Sequence, residues 1–560
     1  MNNKLISYLS RIPIALIVNQ LGKEVTRACA NYDIARSSKD LVKVLIDYKK
    51  QDIFKDQRLI HALISQLNPN ELLELNNFYK KKEIKNITTF ADEIKTSKWG
   101  KNQFSIALLN FLELDEKLFF SDKKIMHNEH EKVNPRLSSK ETTFNGLPIF
   151  TPEMYPLHPY QKIIKDNISN KLIVGDSRFI VHMPTGSGKT KTCIEAIIDY
   201  WRIRGHNKGF IIWFTHSKEL CEQSYNTFKN TWQAKGDYEI NMFRCYESHS
   251  PSLEEYDSGI IFVGFQKFHS LLKNTGSLFI KLRNNVRLIV VDEAHISIAK
   301  TYQKSIESLS QASSTRLIGL TATPGRSTET ENVQNRNLAQ FYNSTKISMM
   351  DPDTELEITE EIKFLQDNEY LAKINKIEIT EDIKLSEEEK NYILKNNKLS
   401  NNYKNNLSTN EIRNAKIIIE IRNAVARGDS TLVFATSIQH AIILKILLNQ
   451  PNNDIHSECV FGDTNTYLRN KHINDFKTGI LKVLINYSIL TTGFDAPIIK
   501  TLIIARPTLS IVLYSQMLGR ALRGPKMGGL SRTNTVVDLI DNYRKLGNVN
   551  SAFKHFNEFY

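Results

Sequence analysis

The chain has 560 residues, 41% of them hydrophobic, which is enough for ordinary packed cores in about three to four domains. Its formal net charge of +13 is spread along the sequence and favours a polyanionic partner such as nucleic acid. The five cysteines have neither metal-ligand spacing nor a disulfide framework, and no apolar run reaches the ~18–20 residues that span a bilayer, so a disulfide-stapled fold and a membrane span are both disfavoured. A cytoplasmic protein without a membrane partner is expected.

Residues 1–145 read as a mostly α-helical N-terminal accessory domain. Residues 12–18 are apolar but short, and read as a buried helix rather than a signal peptide. Leu41, Val44, Leu45 and Tyr48 recur at helical spacing after Ser38, a candidate N-cap. Ile60, Leu63, Ile64 and Leu67 repeat the pattern, and Asn68-Pro69 restarts the chain for Leu72, Leu75 and Phe78. Glu83-Ile84-Lys85 spells half of a nuclease site, but it lies in a polar run without a partner Asp and reads as a solvated helix end. The domain carries no catalytic constellation and is expected to dock a protein partner. Residues 121–145 are polar, contain Asn134-Pro135 and read as a linker.

From residue 150 the texture changes. Short apolar runs, Phe179–Met183, Phe210–Phe214, Ile260–Val263, Leu288–Val291 and Leu317–Leu320, alternate with helical stretches. Buried strands alternating with helices predict an α/β unit with a parallel sheet, and its chemistry belongs at the carboxyl ends of the strands. This first unit is placed at 150–340. Residues 341–410, rich in Glu, Lys and Asn with an apolar island at Ile362–Leu371, read as a connector with helical insertion. A second α/β unit, 411–560, is predicted from strands at Thr431–Ala435, Lys482–Ile485 and Thr501–Ala505, with a last strand at Val536–Ile540.

Two motifs carry the chemistry. Thr185-Gly186-Ser187-Gly188-Lys189-Thr190 follows the first strand and opens a helix. Glycines let backbone N–H groups approach phosphates, and the helix N-terminus favours the anion. Lys189 reaches the β- and γ-phosphates, and the Thr190 hydroxyl suits Mg²⁺. Asp292-Glu293-Ala294-His295 follows the strand Leu288–Val291. Asp292 is placed to hold Mg²⁺ through water, Glu293 to act as general base on the attacking water, and His295 to sense the γ-phosphate. ATP and Mg²⁺ are the expected ligands.

With these residues in place, residues 151–545 resemble the superfamily 2 DEAD/DEAH-box helicases and translocases. Leu157-His158-Pro159-Tyr160-Gln161 resembles the adenine-reading Q motif, with Gln161 reading the base. Thr215–Leu220 resembles motif Ia, Phe265-Gln266 the next strand-contact motif, and Thr321-Ala322-Thr323 motif III. Phe434-Ala435-Thr436-Ser437 resembles motif IV, Thr491–Pro497 motif V, and Gln516–Arg523 motif VI. The resemblance implies two tandem RecA-like parallel-sheet domains behind the helical N-terminal domain. It places Gly493, Asp495 and Gln516 at the nucleotide, makes Arg520 and Arg523 arginine fingers, and offers Ser217, Gln266, Ser437 and Thr491 to strand phosphates. Arg520 and Arg523 are three apart and so share one side of a helix. Thr-Ala-Thr with Gly-Phe-Asp-Ala-Pro is most similar to the restriction-subunit and repair-translocase branch.

The expected function is an ATP-driven helicase or translocase, on DNA ahead of RNA. The alternatives are an ATP-gated nucleic-acid sensor or clamp, and a motor subunit of a restriction or anti-phage complex.

Overall fold

The computed structural model describes residues 3–31, 37–79, 87–120, 129–134, 143–144, 147–148, 156–174, 178–203, 209–274, 276–310, 315–322, 331–381, 385–396, 398–450, 455–462, 464–490, 494 and 496–541. Glu83-Ile84-Lys85, Thr323, Thr491, Gly493 and Asp495 fall outside this set.

The N-terminal part is helical. Ser38–Lys49, Gln57–Ser65, Pro69–Tyr79 and Gln103–Phe111 bury their apolar stripes together. The cap of the first of these is Ser37, not Ser38: Ser37 Oγ accepts the Asp40 N–H at 3.2 Å. The apolar run near the start forms the helix Ile14–Leu21, which buries Ile17 and Leu21 and leaves Ile14 exposed.

Sixteen strands follow among the described residues. β1 (His130–Val133) precedes a two-residue pair, β2 (Thr143–Phe144) and β3 (Leu147–Pro148). The first large sheet adds β4 (Arg178–His182), β5 (Gly209–Thr215), β6 (Ile240–Cys245), β7 (Ser258–Gly264), β8 (Val286–Asp292), β9 (Arg316–Thr321) and β10 (Lys346–Ile347). Its order is β1-β6-β7-β5-β8-β9-β4-β10, parallel except for β1, which runs antiparallel to β6. The stretch read as a linker therefore supplies an edge strand. The second sheet contains β11 (Lys373–Glu381), β12 (Ser430–Phe434), β13 (Ser457–Val460), β14 (Val483–Asn486), β15 (Ile499–Ile504) and β16 (Thr533–Asp541). Its order is β11-β16-β15-β12-β14-β13, parallel throughout. The stretch read as a connector thus holds β11, an edge strand of the second sheet, besides its helices.

Strands such as β5, buried along all seven residues, are apolar because helices cover both faces of the sheet. Two packing facts position the site. One core runs from the first sheet into the second, joining Val181 and Leu320 to Phe434, Tyr514 and Leu518. A second core joins the N-terminal helices to the far face of the second sheet, through Leu45, Leu63 and Leu108 with Ile442, Ile485 and Ile503. The N-terminal helices therefore ride on the second lobe. Where they meet it, Lys445 is buried against Glu458 at 3.1 Å, and Asp47 of the helix Ser38–Lys49 adds to the acidic surroundings that hold its ammonium charged against burial.

Candidate nucleotide site and strand-facing loops

β9 lies between β8 and β4, which brings the loop after β4 and the carboxylates after β8 to the same end of the sheet. The phosphate-type loop is tightly folded. Met183 N–H donates to Thr321 O at 3.1 Å, and Ser187 Oγ–H donates to Pro184 O at 2.7 Å. Gly186 and Gly188 have φ of +88° and +83°, a left-handed conformation that other residues adopt only with strain. The loop opens the helix Lys189–Ile203, which has no acidic residue in its first turn to compete for the positive end of its dipole.

Glu293 is also left-handed, at φ 63° and ψ 61°, which costs a non-glycine residue on the order of 1–3 kcal/mol and persists where surrounding contacts hold it. Those contacts are present. Its carboxylate lies 4.0 Å from Lys189 Nζ and 3.4 Å from His295 Nδ1, and accepts a hydrogen bond from Gln516. Burial pushes the Glu293 pKa up, but Lys189, His295 and His216 outweigh it, so the carboxyl is held below its ordinary value. The neighbouring Asp292 goes the other way: burial, with the Glu293 charge beside it, raises its pKa despite Lys189. A buried carboxylate at the end of β8, at the same end of the sheet as the loop that opens the Thr190 helix, fits a Mg²⁺ that would arrive with its phosphate ligands. No cluster of three or more His, Cys, Asp or Glu among the described residues forms a metal cage of its own.

Gln161 is buried and uses both ends of its amide locally. Its Oε1 accepts the His158 N–H at 2.9 Å, and its Nε2 donates to Ser187 O at 2.7 Å. Tyr160 Oη–H donates to the same carbonyl at 2.8 Å. Gln161 thus ties its own loop to the phosphate loop, with Tyr160 as a further hydrogen-bond neighbour.

The second lobe sits directly on this loop. The motif VI helix Ile511–Leu518 places Gln516 on Glu293 and Ser515 Oγ at 3.3 Å from Thr185 Oγ1. A Cβ on Gly519 would overlap Thr185 Cγ2, and one on Gly186 would lie 3.1 Å from Leu371 Cδ2. Arg520 lies four residues beyond Gln516. Its guanidinium donates to Phe494 O and, at 3.2 Å, to Gln516 O. Arg523 Nη1–H donates to Met527 O at 3.1 Å, and its backbone bridges to Leu371. The two arginines thus diverge. Arg520 stays with motifs V and VI, and Arg523 sits in a seam where Ala372 N–H also donates to Leu522 O at 2.8 Å. The sequence did not reveal this seam, because Leu371 and Tyr370 read only as an apolar island in a connector. Tyr370 in fact packs against His158, with the rings tilted and their centroids 4.7 Å apart.

The residues expected to face a strand divide. Gln266 is exposed at the start of the helix Phe265–Asn274. Ser217 caps the helix Lys218–Lys235 by accepting the Leu220 N–H at 3.2 Å. Ser437 likewise caps Ile438–Leu448, accepting the His440 N–H at 3.0 Å. Ser408 Oγ–H donates to Lys404 O at 2.8 Å, so the 3.2 Å contact between Ser408 and Ser437 must use the Ser437 proton. The Ser437 hydroxyl is therefore committed inside the protein, and a phosphate would have to use its backbone N–H. Beneath it lies a satisfied buried network. Arg413 is bidentate on Asp541 at 3.0 and 3.1 Å and donates to Ala505 O at 2.7 Å. Burial beside Arg413 keeps His440 neutral, and its Nδ1 accepts the Thr436 N–H at 3.0 Å, so Nε2–H donates to Asn414 Oδ1.

The chain matches two family models: the type III restriction enzyme res subunit over residues 154–326 and the helicase conserved C-terminal domain over 413–525. It is 26% identical over 388 residues to a protein named ATP-dependent helicase IRC3 from Saccharomyces cerevisiae, covering 66% of this chain and 49% of that one. It is 28% identical over 421 residues to a protein named mitochondrial ATP-dependent helicase irc3 from Schizosaccharomyces pombe, covering 72% and 60%. Less than two thirds of either relative's length is thus represented. A fragment of an HsdR subunit of a type I restriction enzyme from Vibrio vulnificus has a TM-score of 0.48 at 20% identity, covering 72% of this chain and 67% of that one. The chain belongs to the superfamily 2 helicases, a family of ATP-dependent enzymes with relatives among type III restriction subunits. No helix among the described residues is long and apolar enough to cross a membrane.

Proposed function

We propose that this chain is an ATP-dependent DNA helicase or translocase that couples hydrolysis to movement along a strand. The observation that carries this reading is the seating of motif VI on the phosphate-type loop: Gln516 on Glu293 and Ser515 on Thr185. In this reading Lys189, Thr185 and the backbone of Gly186, Ser187 and Gly188 cradle the phosphates, and Gln161 reads the base. Thr190 and Asp292 would hold Mg²⁺, which when bound would neutralise phosphate charge. Glu293 takes the proton of the attacking water, positioned by Gln516. Arg520, with Arg523 at the seam, delivers positive charge as the lobes close, and Gly493 and Asp495 complete the second-lobe face. Closure then requires both lobes, and a strand gripped by Ser217 and Gln266 on one lobe and by the Ser437 backbone and Thr491 on the other is moved once per cycle. Such contacts position the strand without reading its sequence.

DNA is favoured over RNA by the restriction-subunit match at residues 154–326 and by the basic charge. The same match supports a second reading, a motor subunit of a restriction-type complex, with the N-terminal helices as the docking element for a protein partner. A cytoplasmic location remains part of the proposal. The direct test measures ATPase rates with single-stranded DNA, duplex DNA and RNA in parallel. DNA is expected to raise turnover above the strand-free rate and RNA to do so weakly. Stimulation by RNA alone would reject the DNA assignment, and stimulation by no nucleic acid would reject the motor.

A further inference from the structure

Two arginines meet at the carboxyl end of the second sheet, Arg413 fully buried and Arg506 half-buried, and they are treated differently. Arg413 has its own carboxylate, Asp541. Arg506 follows β15 directly, one residue after the carbonyl of Ala505 that Arg413 and Thr436 both hold. No carboxylate among the described residues pairs with it. Its guanidinium carbon lies 5.1 Å from the centroid of the Tyr487 ring, and its Nη1 is enclosed without a hydrogen-bond partner. Burial draws its pKa below the ordinary arginine value, with only the Tyr487 phenol opposing. A guanidinium held this way costs stability unless an anion completes it.

Its surroundings point to the anion. Tyr487 follows the last residue of β14, just before the motif V loop, with its N–H on Val460 O at 3.2 Å. Ser437 of motif IV lies across the Thr436–Ala505 hydrogen bond. Three residues after Arg506, Leu509 packs against Leu399, Tyr403 and Leu407 of a helical hairpin, Glu387–Asn396 and Asn401–Thr409. That hairpin is tied to motif IV through Ser408; it opens with Glu387, Glu388 and Glu389, of which Glu387 pairs with Lys390 and Glu389 accepts the Ser400 N–H, and the rest of it to Asn410 adds Lys395, Lys398 and Lys404. Arg506 therefore lies beside the loops proposed to meet the strand, with no carboxylate partner among the described residues.

We propose that Arg506 binds a backbone phosphate of the DNA strand lying across the second lobe, with Tyr487 as the shelf that holds the guanidinium plane. This rests on the strand-binding reading above. The planar fork of arginine suits a phosphate, and its weak hydration makes the partly buried position tolerable.

The test uses the full chain, a labelled single-stranded oligodeoxynucleotide and a salt series, comparing wild type with Arg506→Met and Arg506→Lys. Loss of one phosphate contact should make the slope of log affinity against log salt shallower by about 0.7 in the Met variant. The DNA concentration giving half-maximal ATPase should rise, with KM for ATP unchanged. The Lys variant should keep the slope. Because the Met variant loses an uncompensated charge, its melting temperature without DNA should hold or rise. An unchanged slope, a raised KM for ATP with unchanged DNA affinity, or a Met variant that melts lower or fails to fold would each overturn the assignment. So would a slope that changed only with an RNA oligonucleotide. A wild-type chain that bound no DNA at any salt would instead sink the strand-binding reading itself, and this inference with it.

Discussion

Glu293→Gln is expected to bind ATP normally and to lose about 10²–10⁴-fold in turnover, the range for a positioned proton-transfer group. The substitution keeps the shape of the side chain and leaves Asp292 in place for Mg²⁺, but the amide cannot accept a proton. The loss should be specific, because the carboxylate is held ionised by Lys189, His295 and His216 against the pull of burial. Single-turnover hydrolysis beside filter retention of labelled ATP separates the two effects. Retained ATP with stalled hydrolysis is the expected pair. Normal hydrolysis would remove Glu293 from the reaction, and loss of ATP retention would make it a structural residue whose left-handed backbone depends on its carboxylate.

Arg520→Ala is expected to leave ATP affinity intact and to cut strand-stimulated turnover by about 10³–10⁵-fold, the worth of an arginine finger. The structure places Arg520 beside the residue that contacts Glu293, with its guanidinium on the carbonyls of Phe494 and Gln516. Those two carbonyls help to hold the side chain at the lobe interface. Lysine at this position should restore little, since an ammonium cannot span the two carbonyls and a phosphate in one plane. Stimulated turnover equal to wild type would show that Arg520 only joins motif VI to motif V. Arg523 offers an internal comparison, because its place at the Leu371 seam ties it to the connector.

The central strands of both sheets were legible because burial on two faces makes them continuous apolar runs. Leu288–Val291 and Thr501–Ala505 are visible for that reason. The edge strands were not. β11 reads Lys-Ile-Asn-Lys-Ile-Glu-Ile-Thr-Glu, half solvated and as polar as a surface helix. β1 carries His130, Glu131 and Lys132, and it is fixed by partners distant in sequence, with Tyr225 and Lys229 both bound to Glu131. β6 includes Arg244, a residue that pattern reading sends to the surface, yet here it is buried over the Tyr225 ring at 3.5 Å and bonded to Glu222. Within the candidate site, local spacing identified the loop and the carboxylates, since each begins where an apolar run stops. It could not show that the Ser437 hydroxyl is committed to Ser408, that the N-terminal helices ride on the second lobe, or that Gly519 lies hard against Thr185 of the other lobe. Those are tertiary contacts between segments dozens to hundreds of residues apart.

Gly519 gives the sharpest test of the claim that the two lobes close on one nucleotide. Its backbone is ordinary right-handed helix, φ −57° and ψ −18°, so alanine carries no conformational strain there. The obstacle is Thr185 Cγ2 of the other lobe, a methyl on a stiff β-branched side chain. Strand-stimulated ATPase should therefore be measured for Gly519→Ala, Thr185→Ser and the double variant. The account predicts that Gly519→Ala loses stimulated turnover while still binding ATP, that Thr185→Ser alone stays active, and that the pair recovers because the blocking methyl is gone. Full turnover in Gly519→Ala, or no recovery in the double variant, would contradict closure of motif VI onto the phosphate loop.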